Sequence, residues 1–244
     1  MKKFIRSLLF FTLISISSIV NANAKSYVPQ VGEILQYKMF VMGMYVGDTT
    51  ITIKKTIKFE GKKCFYIISE TKSTPEIAKK FYPLHDVHII YLDVKTLLPV
   101  KCLKKLNEGT YKNNVSISFY RDKKEYFFKD RDDKKGRIVS YTYPAMDLLG
   151  LIFYVRGLDL DKDKKVKLGL VAHDRPINFI GKITSEKKMR QHTILTFSEL
   201  QGKQFMMTYT KDKRIPLKLS MVGLKIHNYN INVTGKLVKY QKGN

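Results

Sequence analysis

Residues able to ligate metals, exchange protons or act as nucleophiles fall into few groups in this chain. "LHDVHII" holds the only clustered histidines; strand alternation puts Asp86 and His88 on one face and His85 on the other. A metal site needs three or four converging ligands, and no second cluster follows to complete this one. Hydrogen-bonded or solvated strand histidines are the reading the pattern supports. Cys64 in "KKCFYII" and Cys102 in "PVKCLKK" both stand inside strand-like runs. Either they pair, closing a loop that stabilises by about 4 kcal/mol on the chain-entropy model, or they are two separately buried thiols. No C-x-x-C is present, which speaks against thiol–disulfide catalysis. Phosphate-binding glycine loops, nucleophile elbows, zinc-protease helices and Cys/His dyads are missing. The acid-rich stretches "KDRDDKK" and "DLDKDKK" read as solvated, charge-mixed turns. The expectation is a protein that is not an enzyme and needs neither cofactor nor metal.

The segment that stands out is "YPAMDLLGLIFYVRG". It predicts a helix over about 144–156, with Pro144 in the first turn, Asp147 favouring the helix dipole and Gly157 as the stop. Met146, Leu149, Phe153 and Arg156 share one stripe, and Leu148, Ile152 and Val155 another, so the helix is apolar nearly all round. At about 13 residues it is too short to span a bilayer. Such a helix must be covered on both sides or must touch an apolar ligand. Leu149, Phe153 and Arg156 are therefore the candidate ligand-binding residues. Asp147 and Arg156 lie near opposite ends of the helix and do not face each other. A buried arginine is costly unless paired, so Arg156 should meet a carboxylate or backbone carbonyls.

Everything around that helix alternates with period two. "VSISFYR" puts Val115, Ile117 and Phe119 on one face, "PLKLSMV" groups Leu217, Leu219 and Met221, and "NINVTGKLVKY" groups Ile231, Val233 and Leu237. Similar runs recur from Ile34 onward. Short charged or Gly-bearing connections such as "FEGKK", "RDK", "DDKKG" and "KDKR" suit hairpins. The fold class is mainly β: a large antiparallel meander forming an open or closed barrel, which manages the edges of so many strands. "STPEIAKKFYP" adds one short helix over about 74–82, capped by Ser73 or Thr74 with Pro75 in its first turn.

The first residues, "MKKFIRSLLFFTLISISSIVNANAKS", place Lys2, Lys3 and Arg6 ahead of a short apolar run and the small-x-small site Ala22-Asn23-Ala24. That predicts a signal peptide over 1–24 and one exported β-rich domain over 25–244, located in the periplasm and not an integral membrane protein after cleavage. The full chain carries 45 Lys and Arg against 21 Asp and Glu, a net charge of +24. Such a surplus biases a protein toward anionic partners, here lipid headgroups or an anionic envelope polymer. Nucleic acid is not expected, since no aromatic-interleaved basic motif appears and export separates the chain from it. The surplus rests on 37 Lys against only 8 Arg, and Lys lacks the planar fork of specific phosphate recognition.

The ordered motifs "VGEILQY", "GMYVGDTTI", "YLDVKTLLPVK", "DLLGLIFYVRGLDL" and "TKDKRIPLKL" resemble the exported bacterial family known as domain of unknown function 3108. Carried over by position, the family's marks fall on Gly32, Glu33, Tyr37, Gly47, Asp93, Pro99, Asp147, Arg156, Asp212 and Pro216. The resemblance implies a secreted or periplasmic β-rich domain with no established activity. Read from the residues, "YLDVKTLLPVK" and "YTKDKRIPLKL" share a form in which Asp93 and Asp212 cap turns and Pro99 and Pro216 open the next strands. The architecture is also similar to the half-barrel of periplasmic lipoprotein carriers, a curved antiparallel sheet plugged by helices. The leading expectation is thus a non-enzymatic periplasmic binding protein holding a lipid or other apolar ligand in a barrel hollow. The alternative is a structural or assembly protein of the envelope that binds a protein or anionic polymer by its basic surface.

Overall fold

Alternating side chains produce long strands with one buried face throughout the computed structural model, which describes residues 27–160, 163–172, 175–200, 205–226 and 229–244. The predicted leader lies outside those residues. Eight strands run up and down in succession: β1 (Ile34–Val41), β2 (Met44–Phe59), β3 (Lys62–Ser73), β4 (His85–Asp93), β5 (Pro99–Glu108), β6 (Tyr111–Tyr120), β7 (Glu125–Lys129) and β8 (Arg137–Ser140). After the two-residue β9 (Ala145–Met146) and a helix come β10 (Lys165–Ala172), β11 (Arg175–Lys188), β12 (Thr193–Glu199), β13 (Phe205–Thr210), β14 (Pro216–Ile226) and β15 (Tyr229–Gln241).

All fifteen form one sheet, in the order β8 to β1, then β15 down to β9. β1 pairs with β15, joining the two limbs, while β8 and β9 remain at the two edges, so the sheet is not closed. Every pairing is antiparallel except β9 with β10, where Ala145 and Met146 run parallel to Gly169 and Leu170. Because directions alternate, the turns after β1, β3, β5, β7 and β14 share one end, called here the upper end. The turns after β2, β4, β6, β11 and β13 share the lower end with Tyr27–Glu33.

Two helices interrupt the strands. α1 (Pro75–Lys80) starts where the Thr74 hydroxyl accepts the Ile77 amide at 3.2 Å, with Pro75 opening the first turn, as its sequence requires. α2 (Leu148–Gly157) begins four residues later than the sequence suggests. The Asp147 carboxylate accepts the Gly150 amide at 2.9 Å and so is the N-cap itself, while Ala145 and Met146 are committed to β9. Eight strands lie between β4 and β10 in the sheet, yet α2 touches both, so the sheet curls around this helix. Arg121, just after β6, completes the wrap by donating to the Ala145 and Pro99 carbonyls, each at 2.8 Å.

The cysteines do not pair. Cys64 on β3 and Cys102 on β5 are separated by the whole of β4, opposite Asp93 and Ile90 respectively. Two strand spacings of about 4.8 Å exceed the roughly 7 Å that a disulfide can bridge.

Close strand approach sets one stringent position. A Cβ on Gly47 of β2 would lie 2.1 Å from the Lys72 carbonyl oxygen of β3, which is backbone and cannot swing away. Gly47→Ala is expected to destabilise the fold by about 1–3 kcal/mol, read as a lowered urea midpoint with unchanged slope.

Candidate functional site

The lower end is built around Arg156. Its side chain is fully buried on the last turn of α2, and its Nη1 lies 2.7 Å from Oε1 of Glu33, which is 2 % exposed. Nε donates to the Arg214 carbonyl at 2.8 Å, and the guanidinium sits 3.9 Å from the centre of the Tyr27 ring. The Tyr27 hydroxyl donates to the second oxygen of Glu33. Burial pushes the Tyr27 phenol well above its usual range, so it stays a proton donor. Nearby, the Tyr37 hydroxyl donates to the Pro216 carbonyl at 2.9 Å. A buried charge is thus matched by a carboxylate and a carbonyl, as the cost of isolating it demands.

Two similar turns clasp this end of α2. In the first, the Asp93 carboxylate accepts the Lys95 and Thr96 amides, Leu97 takes φ 56° and Pro99 opens β5. In the second, Arg214 takes φ 53° and Pro216 opens β14, while against the upward effect of burial the neighbouring backbone amides of Lys213 and Asp212 hold the Asp212 carboxylate below its usual range. The amides of Leu97 and Arg214 donate to the carbonyls four residues back, Asp93 and Thr210, both at 2.9 Å. Leu97 packs so tightly on Gly157 that a Cβ there would meet its methyl at 2.4 Å, and the other turn supplies the carbonyl that receives Arg156.

The three ligand-binding candidates all belong to this plug. Leu149 is 4 % exposed, Phe153 0 % and Arg156 0 %, and each packs in the core rather than on an open wall. At the other end of α2, the Asp147 carboxylate lies close enough to the buried Cys102 thiol to act on it. Burial, then the Asp147 carboxylate, pushes that thiol well above its usual range and leaves it an unreactive neutral group.

Above α2 the inner wall changes character. Leu35 and Tyr37 on β1 are buried, but Met39 and Val41 further up are partly exposed; Leu92 and Ile90 on β4 give way to His88 and Asp86. The same gradient runs from Cys102 to Lys104 and Leu106 on β5, and from Pro216 to Leu219 and Met221 on β14. Register places Ser69, His88 and Lys104 in one row across β3, β4 and β5. In the row above, the Thr49 and Thr71 hydroxyls share a hydrogen bond of 2.8 Å beside Asp86. Asp86 and His88 do share this inner face, with His85 outside beside Glu70, as alternation predicts.

Burial, and then the Lys104 ammonium, pull the His88 imidazole down to about 4, against the opposing effect of Asp147 and Asp86. Burial, and then the Asp86 carboxylate beside it, push Glu108 up to about 7. No group of three or more His, Cys, Asp or Glu positioned to hold a metal ion occurs among the described residues. Two surface depressions, the larger of about 490 Å³ between Tyr45 and Glu76, lie on the outer side around α1.

A curled antiparallel sheet wrapped on one buried helix defines a β-barrel-like protein, and solved structures include one of the same shape. The β-barrel-like protein of domain of unknown function DUF1849 from Brucella abortus aligns over 89 % of this chain and 100 % of its own, with a TM-score of 0.52 and 9 % identity. That likeness is one of fold alone. The chain belongs to the family described as protein of unknown function DUF3108, whose model matches residues 36–226. No curated protein matches the chain.

Two predictions follow from these sites. Arg156→Met leaves Glu33 buried beside an apolar side chain and should cost about 3–5 kcal/mol in urea unfolding, whereas Glu33→Leu with Arg156→Met together should cost less than either alone. The second concerns pH. Unfolded histidine titrates near 6.5, so the fold loses stability as pH falls from about 6.5 through 4, and His88→Gln should remove that loss. Glu108 has the opposite sign: its contribution is fully present below about 4.5 and is lost as pH rises through about 7, so Glu108→Gln should flatten that decline. Urea midpoints measured across about pH 4 to 8 check both.

Proposed function

We propose that this is a non-enzymatic binding protein of the periplasm that holds an apolar chain against the inner wall above α2. The observation that carries the reading is the exposure gradient along the strands. A ten-residue helix is about 15 Å long, whereas the sixteen residues of β2 extend about 50 Å. α2 therefore covers the lower inner wall and leaves Met39, Leu106, Leu219 and Met221 partly uncovered above it. Accessible apolar side chains facing the concave side of a curled sheet suit a flexible hydrocarbon, and methionine adapts to such an occupant. Export is supported by the charged-then-apolar leader with its small-residue cleavage site. In this reading α2 is the floor of the site and Arg156 its structural anchor.

The test is mass spectrometry of organic extracts from residues 25–244 purified from a periplasm without detergent, beside titration with the apolar fluorophore N-phenyl-1-naphthylamine. A bound lipid at stoichiometric level is expected, with Met39→Glu and Met221→Glu each weakening fluorophore binding about tenfold or more while leaving thermal stability nearly unchanged. An empty extract together with no fluorophore binding overturns the reading.

A further inference from the structure

The upper end of the molecule carries exposed apolar side chains on neighbouring turns. Met42 and Met44 at the β1–β2 turn are 64 % and 52 % exposed, Phe81 and Tyr82 after α1 are 69 % and 44 %, and Tyr111 at the β5–β6 turn is 39 %. These turns adjoin one another: the Thr74 amide donates to the Val46 carbonyl at 3.0 Å, the Gly109 amide to the Pro83 carbonyl at 2.7 Å, and Tyr82 lies against Gly109. Exposed apolar residues toward the lower end are instead single positions on separate elements, with Val28 in the lead to β1, Tyr120 closing β6, Met189 after β11 and Val238 on β15.

Met42 is unusual by chemistry as well as by exposure. It has φ 49° and precedes Gly43 with φ 86° in a two-residue hairpin turn, where Asn, Asp or Gly sit at less cost. A long apolar side chain is thus held at the tip of a turn that favours a small polar one. Interleaved with these groups are exposed Lys79, Lys80 and Lys112, none of which forms an ion pair among the described residues; Glu76 is the acid on the same segment.

We propose that this end is a bilayer-docking rim, in which Met42, Met44, Phe81 and Tyr82 enter the lipid interface while Lys79, Lys80 and Lys112 face anionic headgroups. Aromatic and long apolar tips collared by lysine match the headgroup boundary, where the ring or thioether can bury and the ammonium stays wet. Lysines near an anionic surface add electrostatic attraction, and the apolar tips distinguish insertion from mere adsorption of a basic protein. The partly exposed side chains of the inner wall lie toward the same end, so the rim would set that wall near lipid. This purpose rests on the binding function proposed above, but docking itself needs no bound ligand.

The chain has no tryptophan, so a single introduced indole reports its own surroundings. Phe81→Trp and, as the opposite-end control, Met189→Trp would be mixed with large unilamellar vesicles of phosphatidylcholine alone or with about one-third phosphatidylglycerol. A blue shift at position 81 with the anionic vesicles and none at 189 is the expected result. Lys79→Glu with Lys80→Glu should then weaken vesicle co-sedimentation by at least about tenfold while leaving the thermal melt unchanged. No shift at 81, an equal shift at both positions, or binding indifferent to the charge reversal would overturn docking. Any of these can occur while the extract still contains lipid, so the two ideas fail separately.

Discussion

The ion pair of Glu33 and Arg156 is the constraint on which the rest of the molecule is arranged. Neither group tolerates burial alone, and each is brought from a different part of the chain: Glu33 from the lead into β1, Arg156 from the end of α2. Their meeting fixes the depth of the helix inside the sheet. Arg214 adds a carbonyl from the second limb, so the helix is tied to both limbs at one level. A packed apolar contact would serve stability equally well, but it would fix the helix position less sharply, because it has no required partner atom.

Much of the fold was legible because side-chain period is a local property. The alternation in Val115, Ile117 and Phe119 survives folding unchanged, and so do the turn roles of Asp93, Pro99 and Pro216, whereas a register shift at Leu217 breaks the expected face of β14 and puts Pro216, not Leu217, in line with Leu219 and Met221. The demand that Arg156 find a carboxylate or carbonyl was also readable from cost alone. Its partner was not, because Glu33 lies over a hundred residues away and nothing local points to it. The start of α2 was misplaced for a related reason: Ala145 and Met146 are helix-compatible, and only β10 makes them a strand. The cysteines needed strand order, which alternation does not contain.

Placing the apolar helix was easier than assigning its task. An all-round apolar helix has two explanations, and they differ in what lies beyond its far face. Here the far face is more protein, since Leu149 and Phe153 are buried together with Leu151, Ile152 and Val155. Accessible side chains are found one level up, where His88, Asp86 and Lys104 mingle with Met39 and Leu106. That mixed wall was hidden in the sequence because polar residues at inward positions read as interruptions of a strand's apolar face. Only the two-dimensional register of the sheet shows that they fall in rows.

The strand order also has a simple topological meaning. Reading the sheet from its β9 edge gives β9 to β15, then β1 to β8, which is an unbroken meander opened at one joint and resealed at another. The resealed joint is the β1–β15 pairing, and the Asn244 amide donates to the Val31 carbonyl at 2.9 Å, so the two ends of the described chain lie side by side. The opened joint is the short link from Ser140 to Ala145 between the edges. In topological terms the strands follow one up-and-down order in which the sheet's two free edges, β8 and β9, are neighbours in sequence, while the first and last strands sit together in its middle.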